Sequence, residues 1–278
     1  MQHLYKRSRL SCLVASLGAI GTTSLTYAST TTQNPSDLTT NILALKCYNP
    51  EGTITVSRIA VLDVSELDDS IHNKKYDFAL VAGHGLNADR PCHVSDFNGN
   101  KSRLLFHTLP RNYESGTQND WGLIKFKKLK TRNMVRYKLI PAISKFDDLE
   151  DLDEIDVNFA QARSLPDNLQ TCQIKSLTFS NTTQSNKVLS HNCMAIGGQS
   201  GSPLTYEIGN ETRLIGLHLG TLWMINSPLT GKPDRVGFVK VFDEGTINQI
   251  KVMLHKKTDK LEYAWNILDT EIWRKKKP

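Results

Sequence analysis

Three short segments of the 278-residue chain carry side chains whose types and order suit nucleophilic acyl transfer. The first, Val81-Ala82-Gly83-His84, is an apolar run that delivers a histidine. The second, Asn119-Asp120-Trp121-Gly122-Leu123-Ile124, sets an aspartate directly before an apolar run. The third, Gly197-Gly198-Gln199-Ser200-Gly201-Ser202-Pro203, holds a serine in a glycine-rich turn. Each has an ordinary explanation alone, since aspartates cap turns and Gly-Ser turns are common. Together they supply what a serine nucleophile needs. A hydroxyl is a weak nucleophile at neutral pH and requires a base for its proton. Histidine titrates near that pH, and a buried carboxylate fixes its tautomer and stabilises the imidazolium. Glycines around the serine let the N–H groups of Gly198 and Ser200 aim at a developing oxyanion. Losing one such donor typically costs about 10²–10³ in turnover. The chain order His84, Asp120, Ser200, with Ser202 where a second glycine would stand, argues against the Gly-x-Ser-x-Gly elbow of α/β hydrolases, which run Ser, acid, His.

These motifs need a scaffold of strands. From Ile42 onward the chain shows short runs rich in β-branched and aromatic residues, separated by turn formers: Thr53–Leu62, Phe78–Ala82, Ser102–Thr108, Trp121–Phe126 and Met134–Ile140. After an acidic stretch the pattern resumes at Ile155–Phe159, Thr171–Phe179, Lys187–His191, Pro203–Ile208, Arg213–Leu219 and Gly237–Phe242. Many short strands at close spacing predict a sandwich or barrel. Gly245–Leu254 is the best helix candidate, with Ile247, Ile250, Val252 and Leu254 giving an imperfect apolar face. The acidic stretch, Asp147–Asp156, lacks the glycine a calcium loop needs at its sharp turn. Leu149, Leu152 and Ile155 recur in it every three residues, so it reads as a solvated turn or connector between halves. Asn181-Thr182-Thr183 and Asn210-Glu211-Thr212 fit the N-glycosylation pattern and predict surface turns.

The N-terminus reads as an export signal. Lys6, Arg7 and Arg9 precede an apolar run from Leu10 to Ile20, and Thr26-Tyr27-Ala28 places small residues where a signal peptidase reads. The run is well short of the roughly 20 apolar residues that span a bilayer. Removing residues 1–28 takes the formal net charge from +6 to +3 and removes Cys12. Much of the remaining positive charge sits in Arg274-Lys275-Lys276-Lys277, so the composition gives no case for nucleic-acid binding. The four cysteines left, Cys47, Cys92, Cys172 and Cys193, suit two disulfides in an oxidising compartment, with three possible connectivities. The expected layout is a signal peptide over 1–28, a flexible lead or short propeptide over 29–41, two β units over 42–146 and 147–255, and a tail over 256–278. The expected product is secreted or periplasmic, without stable membrane insertion, metal or other cofactor, and acts on protein or peptide substrates.

The three segments resemble those of the chymotrypsin-like, trypsin-fold serine peptidases, and of their bacterial branch that includes the glutamyl endopeptidases. Ala82-Gly83-His84 is similar to the family's Ala-Ala-His. Asp120-Trp121-Gly122-Leu123 resembles its Asp-Ile-Ala-Leu strand. Gly198-Gln199-Ser200-Gly201-Ser202-Pro203 resembles Gly-Asp-Ser-Gly-Gly-Pro and, more closely, the bacterial Gly-Asn-Ser-Gly-Ser-Pro. Ile215-Gly216-Leu217-His218 and Gly237–Val241 extend the likeness from about Cys47 to Leu254. It implies an all-β fold of two six-stranded antiparallel barrels with a C-terminal helix, and a serine endopeptidase with His84, Asp120 and Ser200 as triad. The bacterial relatives place a cysteine pair around the loop into the nucleophile, which carries onto Cys172 and Cys193 and leaves Cys47 with Cys92. His218 resembles the histidine lining the specificity pocket of glutamyl endopeptidases, with Met194, Ala195 and Ile196 as the opposite wall. No aspartate stands near position 194, so cleavage after Glu, Asp or an uncharged residue is expected rather than after Lys or Arg. Gln199 replaces the aspartate that pairs with a freed N-terminus in zymogen-activated relatives, so that switch is expected to be absent. The competing reading is a non-catalytic binding or adhesion module on the same fold, since fold alone does not establish activity.

Overall fold

The computed structural model describes residues 43–255, apart from 50, 66–74, 87–90, 97, 132–133, 145–150, 161–168, 182–183, 210, 225–226, 228, 230–231 and 233. The expected signal peptide, lead and tail therefore lie outside the described residues.

Six strands form the first barrel: β1 (Ala44–Tyr48), β2 (Ile54–Asp63), β3 (Tyr76–Ala82), β4 (Cys92–Ser95), β5 (Lys101–Thr108) and β6 (Trp121–Lys127). They run in the order β1-β4-β5-β6-β3-β2, and β2 pairs back onto β1 to close the ring. Closure leaves the ring no open edge. Of the run expected over Met134–Ile140, only β7 (Tyr137–Lys138) is strand, lying parallel to the end of β2. The second barrel is closed in the order β10-β13-β12-β11-β8-β9, with β9 and β10 joined. Its strands are β8 (Asp156–Ala160), β9 (Leu169–Asn181), β10 (Gln184–His191), β11 (Pro203–Ile208), β12 (Glu211–Met224) and β13 (Asp234–Val241). Asn181 pairs with Gln184 at the end of β9, and Ile208 with Glu211 at the end of β11, while residues 182, 183 and 210 of the glycosylation patterns lie outside the described set.

Helix α1 (Glu244–His255) follows β13. The Asp243 carboxylate accepts from the Thr246 amide at 2.9 Å, satisfying one of the donors a helix start leaves unpaired. The face bearing Ile247, Ile250 and Leu254 is buried.

The core forms three clusters, and strand alternation explains them. Ala79 and Val81 of β3 point into the first barrel with Leu45, Ile59, Val94, Ile124 and Phe126. Phe78 and Leu80 point the other way, into a seam shared with Trp121, Leu123, Leu217 of β12, Phe242 and the α1 residues. Val157, Phe159, Ile174, Leu189, Leu204, Ile215 and Val239 fill the second barrel. A strand buried on both faces reads as an unbroken apolar run, which Phe78–Ala82 is. Both barrels thus abut the same seam, and the ends of β3 and β6 are held by it.

Two disulfides staple the barrels, Cys47–Cys92 across the directly paired β1 and β4 and Cys172–Cys193 between β9 and the segment just after β10. The pairing is the one the resemblance implied. Leu152 of the acidic connector is buried in the second barrel's core, and Glu154 and Ile155 bond to Ile174 on β9. Its residues 147–150 lie outside the described set.

Candidate active site

β3 ends at Ala82, and a single 3-10 turn, Gly83–Gly85, carries His84 out of the barrel. The turn fits because Gly83 has no side chain. A Cβ there would collide with the Tyr113 ring and come within 3.0 Å of Asp120 Oδ1. Asp120 precedes β6, the strand paired with β3, so sheet register alone brings the two residues together. Its side chain is wholly buried. Oδ1 accepts from the His84 amide at 2.7 Å, while Oδ2 faces His84 Nδ1 at 2.7 Å and accepts from the Gly116 amide at 2.8 Å. Burial pushes the Asp120 carboxyl up, but the hydrogen bonds from His84 and Gly116 outweigh it and hold the group below the usual carboxylate range. A carboxylate bonded to Nδ1 leaves the proton there and frees Nε2 to act as a base. The His84 side chain keeps 34% of its surface exposed.

Ser200 approaches from the second barrel. Its carbonyl accepts from the Arg58 amide of β2 at 2.7 Å. The adjacent Gly201 has φ +83° and donates to the His218 carbonyl at 2.7 Å. A Cβ on Gly201 would collide with the Arg58 carbonyl and lie 3.1 Å from the Ala82 amide. The nucleophile turn is therefore seated against the end of β3, two residues before His84. The Ser200 hydroxyl donates to the Leu219 carbonyl at 3.3 Å and makes no hydrogen bond to His84. The structure thus pairs His84 with Asp120 and brings the Ser200 backbone to the same strand end, with the hydroxyl turned to β12.

Gly198 has φ +90°, the left-handed region that favours glycine. Among the described residues, the N–H groups of Gly198 and Ser200 donate to no acceptor. Gln199 between them is fully buried, and its Oε1 accepts from the Ile196 amide, so the loop is latched by its own side chain.

His218 lies on β12 beside this turn, its amide donating to the Ser202 carbonyl at 2.9 Å. The ring is buried, and burial, with His84 nearby, pushes its pKa down to about 3. Of the expected opposite wall, Ala195 is half-buried against the second core, whereas Met194 and Ile196 are exposed.

Sequence reading missed several participants. Tyr113 and Gly116 wall the Asp120 carboxylate, Leu219 receives the serine hydroxyl, and His191 bonds the His218 ring at 2.9 Å. Gly116 reaches Asp120 through the local turns that precede it, whereas strand register brings Leu219 and His191 to their partners, and no motif marks any of them.

No family model matches the chain, and no curated protein matches it. Among solved structures it is similar to the thermostable serine protease AL20 from an extremophilic microorganism, with a TM-score of 0.53 and 13% identity over 80% of this chain and 100% of that one. Two further structures resemble it less. One is an HL collagenase (TM-score 0.49, 14% identity, 74% of this chain and 90% of that one). The other is kallikrein-related peptidase 10 in complex with Zn2+ (TM-score 0.48, 12% identity, 80% and 98%). At these identities the likeness speaks to the fold. With two closed six-stranded antiparallel barrels and one C-terminal helix, the chain has the chymotrypsin-like fold of serine proteases.

Proposed function

We propose that the protein is an exported serine endopeptidase that hydrolyses peptide bonds through an acyl-enzyme, with His84, Asp120 and Ser200 as triad. The observation that carries this reading is the buried Asp120 carboxylate bonded to both His84 Nδ1 and the His84 amide. A turn holding Ser200 between two positive-φ glycines, Gly198 and Gly201, sits against the same strand end. In the proposed reaction the Ser200 hydroxyl swings from Leu219 to His84. Its oxygen then attacks the scissile carbonyl carbon as its proton passes to His84 Nε2. The N–H groups of Gly198 and Ser200 hold the oxyanion. The C–N bond breaks, and His84 gives the proton to the leaving amine. Water repeats the sequence on the ester, with His84 again taking and returning a proton, and releases the new carboxylic acid and free Ser200.

Two disulfides, with an N-terminal sequence that reads as an export signal, support a secreted or periplasmic site of action. His218 supports selection of a side chain able to accept a hydrogen bond, with Met194, Ala195 and Ile196 at the pocket rim. One observation favours a non-catalytic module instead: the Ser200 hydroxyl rests on a carbonyl rather than on the base. Digestion of a peptide library separates the two readings. The expected result is cleavage after residues other than Lys and Arg, abolished by Ser200→Ala. Cuts dominated by Lys or Arg would refute the pocket assignment, and no cuts at all would favour the binding module.

A further inference from the structure

His191 is the last residue of β10 and is fully buried, yet the proposed reaction gives it no task. Its two ring nitrogens are both engaged. Nδ1 accepts from the Cys193 amide at 3.2 Å, and Nε2 lies 2.9 Å from His218 Nδ1. A peptide N–H can only donate, so His191 Nδ1 must present its lone pair. A neutral imidazole with a bare Nδ1 carries its proton on Nε2. That proton is donated to His218 Nδ1, which in turn must be bare, so the His218 proton sits on Nε2. That atom has no hydrogen-bond partner among the described residues.

The arrangement is built into the barrel. Gly237 of β13 pairs directly with His191, and a Cβ there would collide with His191 Nε2 and Cε1. The missing side chain on one strand is the space the ring occupies on the next. Phe159 of β8 packs on both rings, with centroids 5.2 and 5.4 Å away. Around the pair, β9 offers Ile174 opposite His191, and β13 offers Gly237 and Val239. The titratable group acting on His218 from outside the pair is His84, and His191 feels His218. Burial holds both rings neutral across the physiological range.

We propose that His191 is a positioning residue for substrate selection, which locks His218 as the neutral tautomer whose Nε2–H is the pocket's donor. Protonating His218 would put a second hydrogen on Nδ1, facing the His191 N–H, and the Cys193 amide blocks the shift that would relieve it. The pocket therefore offers one donor and no cation. It takes a side chain bearing an acceptor oxygen, carboxamide as well as carboxylate, where an imidazolium would demand the carboxylate. This rests on the pocket role proposed for His218.

Nitrogen-15 NMR of the histidine rings in the full-length Ser200→Ala protein reads the lock without any cleavage. The expected pattern is His191 and His218 both protonated on Nε2 alone and unchanged from pH 5.5 to 8. In His191→Phe, or in Gly237→Ala, which displaces the ring from the neighbouring strand, the His218 proton is expected to redistribute between its nitrogens. A His218 that carries its proton on Nδ1, or titrates in that range in the otherwise unaltered protein, would overturn the proposal. The second readout is kcat/KM for two peptides differing only in Gln or Glu before the cut. Their ratio is expected to stay within about threefold between pH 6 and 8, and to drift by tenfold or more in His191→Phe. A tenfold drift in the wild-type enzyme overturns the selection role. Absence of all cleavage with the tautomer pattern intact overturns the peptidase reading and the selection role with it, while the lock stands.

Discussion

Asp120 is the residue on which the site's electrostatics turn, because it is a wholly buried charge whose hydrogen bonds come from the groups it must orient. Replacing it by asparagine keeps the shape but offers an amide where the imidazole needs a carboxylate. Asp120→Asn is expected to fold and to lower kcat by about 10⁴, the loss known for the same change in the template Ser-His-Asp enzyme. The depressed folded pKa also has a stability consequence with a definite sign. Its contribution is full above the unfolded value of about 3.9 and is lost as the pH falls through the lower folded value. Urea titrations are therefore expected to show wild type more stable than Asp120→Asn at pH 7, with the gap closing at the most acidic pH where both still fold. A gap that widens on acidification would contradict the hydrogen-bonded carboxylate. At this scale the contact of His84 with Asp120 was legible, since each sits in a short motif, but the resting of the Ser200 hydroxyl on Leu219 was not. Gln199 was read as a lost zymogen contact, but its latch on Ile196 is a geometric fact that spacing does not reveal.

Among the elements, burial on both faces made β3 and β6 easy to see. Phe78–Ala82 is an unbroken apolar run and Trp121–Phe126 is apolar but for Lys125, and both match the observed strands to within two residues. Short strands were harder. Cys92–Ser95 has four residues, between Pro91 and the Asp96–Asn100 turn, too few for an alternating pattern to register. Met134–Ile140 misled in the opposite direction. Met134 packs in the first core and Leu139 at the seam, while only Tyr137 and Lys138 find a strand partner. The pairing of His191 with His218 was invisible for a related reason. It depends on β10 and β12 both flanking β13, with a bulge between His218 and Gly220. The Cys172–Cys193 bridge, spanning 21 residues, fixes this corner. Replacing both cysteines by serine is expected to cost about 3 kcal/mol by chemical denaturation. A loss near zero would mean that the strands hold the corner unaided.

For the molecule as a whole, the seam is what makes one site of two barrels. Leu80 and Trp121 lie beside the His84 and Asp120 segments in sequence, and both pack into the cluster that contains Leu217 and α1. Gln118, two residues before Asp120, donates across to the Val239 carbonyl of β13 at 2.8 Å. Leu80→Ala is expected to destabilise by about 2–5 kcal/mol, the usual cost of emptying a sealed leucine site. A cost below about 1 kcal/mol would show that the seam can collapse around the gap. Strand spacing alone pointed to a sandwich or barrel, and the two-barrel architecture came from the family resemblance that the three motifs carry. Which faces meet at the seam was not legible, since alternation tells that both faces of a strand are buried but not against what.

The central claim is that His84, steadied by Asp120, can draw the proton from Ser200. Reaction of the folded protein with a fluorophosphonate probe tests it most directly, because the probe adds only to an activated serine. Mass spectrometry is expected to find one adduct, on Ser200, absent in Ser200→Ala and formed far more slowly in His84→Ala. A folded wild-type protein that takes no adduct, or takes it elsewhere, would contradict the account.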